Sequence, residues 1–208
     1  MQFLKQFIEL LFPPKCEVCH SIGPELFCSK CMGEITYIKP STFVHSIGLY
    51  NGPLKKAIKS LKYGKKIGLA APLGDILARY IMASVGKNSL DFIIPVPLHV
   101  KKEEERGFNQ SEKISKIVSS VTGIPTVVGI LNRTRETRPQ FEVDRDDRLQ
   151  NVYGAFELLN RDFIAGKRIA LLDDIYTTGA TISECTRVLK EGGAYQVHVF
   201  TLSRALHL

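Results

Sequence analysis

The sequence predicts an α/β fold, a mostly parallel sheet covered by helices, with a small four-cysteine module at the N-terminal end. Three observations predict it. Short apolar runs without alternation, such as Ile169-Ala170-Leu171-Leu172, fit strands buried on both faces. Stretches with helical periodicity separate those runs, as helical crossovers between parallel strands require. Four cysteines fall within residues 16–31 as two C-x2-C pairs, ahead of the first predicted strand. The 208 residues suffice for one full domain plus a small appendage, divided as 1–40 and 41–208.

Residues 2–12 carry Phe3, Leu4, Phe7, Ile8, Leu11 and Phe12 at helical spacing, so an apolar helix is expected there, packed on the body of the protein. It is short and Glu9 interrupts it, which argues against a membrane span or an export signal. Cys16, Cys19, Cys28 and Cys31 follow. Each knuckle offers two thiolates to one ion, and four cysteines close a tetrahedral shell, so the expectation is structural zinc. His20 is a weaker rival ligand. Two disulfides would have little use in a reducing compartment, so the expected location is the cytoplasm, including the inner face of the membrane.

Residues 43–50 read as a strand. Asn51-Gly52-Pro53 then open a helix with proline at its first position. Leu54, Ile58 and Leu61 make its buried stripe. Lys55, Lys59, Lys62 and Lys66 recur on the opposite face, flanked by Lys56 and Lys65, with Tyr63 among them. The net charge is +7, and the whole surplus lies in residues 41–90, which hold eight basic groups and only Asp75. Lysine in a first turn opposes the helix dipole, and no nearby acid pairs with the row. The row is therefore expected to meet a polyanion such as a nucleic-acid backbone, the alternative being a plain solvated face.

A second helix is predicted over residues 72–85, with Leu73, Ile76, Leu77 and Tyr80 buried. A short strand at 92–96 runs into Pro97-Leu98-His99. A charged loop, Lys101 to Glu105, leads to Arg106-Gly107-Phe108-Asn109-Gln110. Asn109 with Glu112 forms a capping-box pattern, placing a helix up to about residue 121. Further strands are expected at 126–131, 152–158 and 196–202. Residues 133–151 between them are polar, proline-interrupted and mixed in charge.

Residues 168–181, RIALLDDIYTTGAT, organise the rest. They read as a buried strand, a tight turn and the start of a helix over 182–192, on whose buried face Cys185 is a core residue. Backbone N–H groups at a helix N-terminus favour an anion. Thr177, Thr178 and Thr181 add hydroxyl donors, and Gly179 with Ala180 lets the backbone come close. This makes a phosphate cradle. Asp173 and Asp174 would repel a phosphate, so they suit the vicinal hydroxyls of a sugar or a divalent cation. The pocket fits a sugar phosphate carrying Mg²⁺.

The stretch resembles the loop that binds 5-phosphoribosyl-1-pyrophosphate (PRPP) in type I phosphoribosyltransferases. The resemblance implies that Asp173 and Asp174 hold the ribose hydroxyls and residues 177–181 hold the 5′-phosphate. It also implies a pyrophosphate loop at Pro97, Leu98 and His99 with Arg106 nearby, a mobile lid over 133–151, and Mg²⁺ bound with PRPP. Two residues depart from the pattern. Tyr176 replaces a small aliphatic, and Thr177 replaces an aspartate of the 6-oxopurine salvage enzymes, which argues against hypoxanthine–guanine salvage.

The whole set is similar to one family: the paired C-x2-C module, Val96-Pro97 with His99, Arg106 to Gln110, Gln140, Arg148, Asn151, Val152, Ala155, Phe156 and the loop above. It is the ComF family, the phosphoribosyltransferase-like competence proteins of bacteria. That resemblance implies PRPP binding and the handling of single-stranded DNA in DNA uptake and natural transformation, beside a DNA-uptake helicase. A homodimer is among the expected partners. The alternatives are an active phosphoribosyltransferase of nucleotide metabolism and a non-enzymatic PRPP sensor.

Overall fold

The computed structural model describes residues 13–39, 41, 43–85, 89–136 and 152–206. The predicted helix over 2–12 lies outside them, as do Gln140, Arg148, Asn151 and most of the predicted lid.

In chain order the elements are α1 (Ser29–Gly33), β1 (Val44–Leu49), α2 (Gly52–Tyr63), α3 (Ala70–Ser84), β2 (Phe92–Pro95), α4 (Val100–Arg106), α5 (Gln110–Thr122), β3 (Leu131–Arg133), β4 (Phe156–Leu158), α6 (Arg161–Ile164), β5 (Arg168–Tyr176), α7 (Ala180–Glu191) and β6 (Gln196–Arg204). A parallel four-stranded sheet runs β1-β6-β5-β2. Its central strand β5 sets Leu171 beside Val199 and Leu172 beside Pro95. The apolar run at 169–172 is continuous because both faces are covered. Ala170, Leu172, Phe200 and Leu202 face α2, α3 and α5 through Leu54, Ile58, Leu73, Leu77, Ile114 and Val118. Ile169, Leu171 and Val199 face α7 through Ile182, Cys185 and Leu189, and the β3–β4 ribbon through Leu131 and Phe156. Each large aliphatic side chain buried this way contributes about 1.5–3 kcal/mol. Gly74 lets α3 press onto α5, since a Cβ there would fall 2.6 Å from Cβ of Ile117.

The predicted strand at 43–50, the lysine-bearing helix, the capped helix after Asn109 and the last strand are all present. Asn109 Oδ1 accepts from the N–H groups of Ser111 and Glu112. Pro53 is the second residue of α2 rather than its first. In α3, Leu73 and Leu77 are buried as expected, Ile76 and Tyr80 are half-buried, and Ala78 and Ile81 complete the buried stripe.

Two expectations are corrected. Residues 101–105 are helical, not a loop: α4 has no buried residue, so its sequence lacks the apolar stripe that announces a helix. The strand expected at 126–131 is broken at Gly129, whose φ is 75°. Before the break, Thr126 bridges Ile93 at the outer edge of β2. After it, Leu131–Arg133 pairs antiparallel with Phe156–Leu158, so two of the six predicted strands leave the parallel sheet for a separate ribbon.

Candidate functional site

The carboxyl ends of β5 and β2 lie side by side. Beyond β2 and the exposed α4, helix α5 packs on one face of the sheet, and α7, which follows β5, packs on the other. That divergence opens a crevice at the strand ends, where ligands bind in open α/β sheets. A cleft of about 190 Å³ lies there. Asp173, Asp174, Thr177, Gly179 and Thr181 line one wall, and Pro97 and Leu98 the other. The two stretches singled out by sequence, some 75 residues apart, are therefore one site.

The acids sit on opposite faces of their strand, as adjacent residues must. Asp173 Oδ1 accepts from the hydroxyl of Ser111 at 2.9 Å and from the N–H of Asp174 at 2.9 Å. Burial, and then the neighbouring Asp174 carboxylate, push Asp173 up to about 7. Asp174 meets the ammonium of Lys62, with Nζ–Oδ2 2.5 Å apart and side chains only 15% and 4% exposed. Lys62 is held above its ordinary value: burial opposes the charge, and Asp174 outweighs it.

Beyond Tyr176 the chain turns through Gly179, whose φ is 84°, a conformation that favours glycine. A Cβ on Gly179 would also fall 2.8 Å from Cζ of Tyr176. Tyr176 is thus matched to the glycine: its ring fills the space under the turn, with the Arg204 guanidinium stacked on it at 4.9 Å. α7 starts without a side-chain cap, and the Thr178 hydroxyl is buried with no hydrogen-bond partner among the described residues. Both features suit an anion held by the turn. The facing rim is cationic, since Lys62, Lys102 and Arg133 all line the cleft. Burial holds Arg133 below its ordinary value; burial, then Arg133 and Arg106, do the same to Lys102.

Not every predicted residue reaches the cleft. His99 stands at the N-cap position of α4 without a side-chain cap, and lines a neighbouring pocket of about 700 Å³ that shares Pro97 and Leu98 with the cleft. Arg106 closes α4, with its guanidinium over the Tyr63 ring at 5.4 Å and hydrogen-bonded to Gln110. The lysine row is split. Lys62 turns into the cleft, and Lys66 pairs with Glu17 of the cysteine module at 3.1 Å. Lys55, Lys56, Lys59 and Lys65 stay exposed, Lys55 lying over the Tyr50 ring at 5.5 Å. Acids do meet the row, contrary to expectation, because they come from distant parts of the chain. Sequence reading also missed Ser111, and named Gln110 only within a family motif, without a place in the site. The signal available for them was their place at the start of a capped helix whose cap, Asn109, donates through Nδ2 to the carbonyl of Val96 at 3.0 Å.

A second candidate centre lies in the N-terminal module. The four sulfurs of Cys16, Cys19, Cys28 and Cys31 all lie within 4.8 Å of one another. The eight-residue spacer still lets Cys19 and Cys28 approach to 3.5 Å. His20 is exposed and outside the cluster. Hydrogen bonding with Ser21 holds Cys19 down to about 6, while burial and the surrounding thiols push Cys31 up. Four thiols so gathered, two of them buried, can hold a metal ion such as zinc, which would take all four as thiolates. Cys16, Val18, Phe27, Cys31 and Ile35 share the core that contains α2 and α3. Cys185 is buried on α7, as expected.

No family model matches the chain. It is similar to curated proteins along most of their lengths. Competence protein F of Haemophilus influenzae is 31% identical over 197 residues, spanning 90% of this chain and 84% of that protein. DNA utilization protein YhgH of Salmonella typhimurium is 29% identical, spanning 93% and 84%. Competence protein ComFC of Bacillus subtilis is 28% identical, spanning 86% and 72%. Among solved structures, adenine phosphoribosyltransferase from Leishmania donovani is 11% identical with a TM-score of 0.48, covering 82% of this chain and 86% of that one. Glutamine PRPP amidotransferase from B. subtilis is 23% identical with a TM-score of 0.47, covering 70% and 30%. Overlaps of that size carry no argument about the site. The sequence relatives do carry one about descent: with 31% identity across 84% of the Haemophilus influenzae protein, this chain belongs to the ComF family.

Proposed function

We propose that the chain binds PRPP with Mg²⁺ in the cleft and holds single-stranded DNA on the exposed lysines of α2, serving DNA uptake beside a helicase partner. The observation that carries the reading is the meeting of the acid pair, the Thr177–Thr181 turn and the Pro97-Leu98 loop in one cleft of about 190 Å³. The relatives named for competence and for DNA utilization favour the DNA half. Asp173 and Asp174 would hold ribose hydroxyls or a hard cation, and Mg²⁺ would neutralise the charge of the bound phosphates. Lys102 and Arg133 would face those phosphates, and the cysteine cluster would hold zinc as a structural ion.

The test of the cleft is a thermal shift with PRPP and Mg²⁺. Wild type should gain stability, and the double variant Asp173→Asn, Asp174→Asn should gain none; equal gains would remove the assignment. The test of the DNA half is anisotropy of a labelled single strand across a salt series, where affinity should fall with a log–log slope of about −0.7 per phosphate neutralised. A variant with Lys55, Lys56 and Lys59 changed to alanine should flatten the slope. A second reading, an active phosphoribosyltransferase, is favoured by the 700 Å³ pocket that shares Pro97, Leu98 and Arg133 with the cleft and has room for an acceptor. It requires that some nucleobase release pyrophosphate from PRPP.

A further inference from the structure

We propose that Lys62 is a ligand-contacting, specificity-determining residue of the cleft. It is a built-in counter-ion on the acid pair that keeps bare divalent cations out and gives way only to a ligand bringing its own phosphate. The proposal rests on the reading that the cleft takes a phosphorylated sugar.

Its basis is geometric. Lys62 Nζ lies 2.5 Å from Asp174 Oδ2, and Lys62 lines the same cleft as Asp173, Thr177 and Gly179. Two adjacent carboxylates at a strand end, one of them buried, would without a counter-charge draw any divalent cation. With the ammonium in place, one negative charge of the pair is cancelled. A bare cation must then displace Lys62 and leave its ammonium half-buried and unpaired, which is costly. A cation arriving with a phosphate avoids that cost, because the phosphate oxygens offer the ammonium a new partner. Lysine suits the exchange: its charge is compact, its three donors rotate, and its stem is flexible.

The fold also explains why this lysine, alone in its row, reaches inward. It occupies the last turn of α2, where a cation is favoured by the helix dipole. The next residue, Tyr63, stays exposed but meets the Arg106 guanidinium over its ring, and Lys66, just beyond the helix, pairs with Glu17, so the end of the helix is held from two sides.

The experiment titrates the full chain with Mn²⁺ alone, followed by the magnetic resonance signal of the free ion, and separately with PRPP and Mg²⁺ by calorimetry. Wild type, Lys62→Met and Lys62→Arg are compared. The methionine variant should bind Mn²⁺ alone at least tenfold more tightly, and PRPP with Mg²⁺ at least tenfold more weakly. The arginine variant should restore the exclusion of Mn²⁺. Unchanged Mn²⁺ affinity in a folded methionine variant would overturn the proposal. Should that variant not fold, Lys62→Gln removes the charge while keeping a donor for Asp174 and is read in the same way. If wild type fails to bind PRPP, the sugar-phosphate reading falls, and the Mn²⁺ titration still decides the role of Lys62.

Discussion

All four donors of the cysteine cluster come from residues 16–31, whereas the cleft gathers Lys62, Pro97, Leu98, Arg133 and residues 173–181 from across the chain. The first site is closed by short loops and, on the proposed reading, by its ion. The second exists only once β2, β5 and α2 have docked. Damage should therefore act differently in the two places. Loss of the cluster should cost stability, because Cys16, Cys31 and Phe27 belong to the core under α2 and α3. Loss of a cleft residue should cost binding and leave most of the fold standing.

The sharpest way to break that contrast is to remove a buried donor. Cys31 is 2% exposed, and its sulfur lies 3.9 Å from that of Cys16. Cys31→Ser should cost about 3–5 kcal/mol if a structural ion is lost with it. In a chain of this size that lowers Tm by about 6–20 °C. Chelation of the wild type should do the same, read by calorimetry beside a metal assay. A metal-free preparation that melts like the untreated protein would make the cluster an ordinary thiol core.

A smaller effect, of the opposite kind, is expected at Gly179. A left-handed conformation costs a residue with a Cβ about 1–2 kcal/mol, and here the Tyr176 ring also stands in the way. Gly179→Ala should lower Tm by only a few degrees and reduce stabilisation by PRPP at least tenfold. Adding Tyr176→Val should recover part of the binding by clearing the space under the turn. If Gly179→Ala binds as wild type does, the turn is not the phosphate cradle.

How much of this was legible in the sequence follows the same division. Contacts within a short stretch could be read directly: the paired cysteines, the Asn109 cap, and the strand–turn–helix at 168–181. The parallel sheet was legible from its unalternating strands. The departure of β3 and β4 was not, since a three-residue strand after a glycine has no period to detect. The lysine row shows the limit most plainly. Spacing put Lys55, Lys59, Lys62 and Lys66 on one face, but the helix ends at Tyr63, so Lys66 lies beyond it, and Lys62 turns inward while Lys55 and Lys59 stay exposed. Spacing could not say that Asp174, more than a hundred positions away, waits beside the last turn of that helix. Nor could it show Ser111 reaching Asp173, because no local pattern records which strand end a helix start will face.

The subtlest effect is expected from Asp173, which also tests whether cleft residues leave the fold alone. Burial and the adjacent Asp174 raise it from 3.8 to about 7. The folded state therefore holds a proton that the unfolded chain has already released between those values. The resulting stability is complete below about pH 4 and is lost as pH rises through 7. Asp173→Asn keeps the oxygen that accepts from Ser111 and from the N–H of Asp174, and it has no proton to lose. Wild type and variant should melt together at pH 4. At pH 8 the variant should be the more stable of the two. Parallel Tm profiles from pH 4 to 8 would show that the carboxylate is as well solvated in the cleft as in the unfolded chain. The acid pair would then differ from the cysteine cluster in binding alone, with no part in the stability of the sheet that carries it.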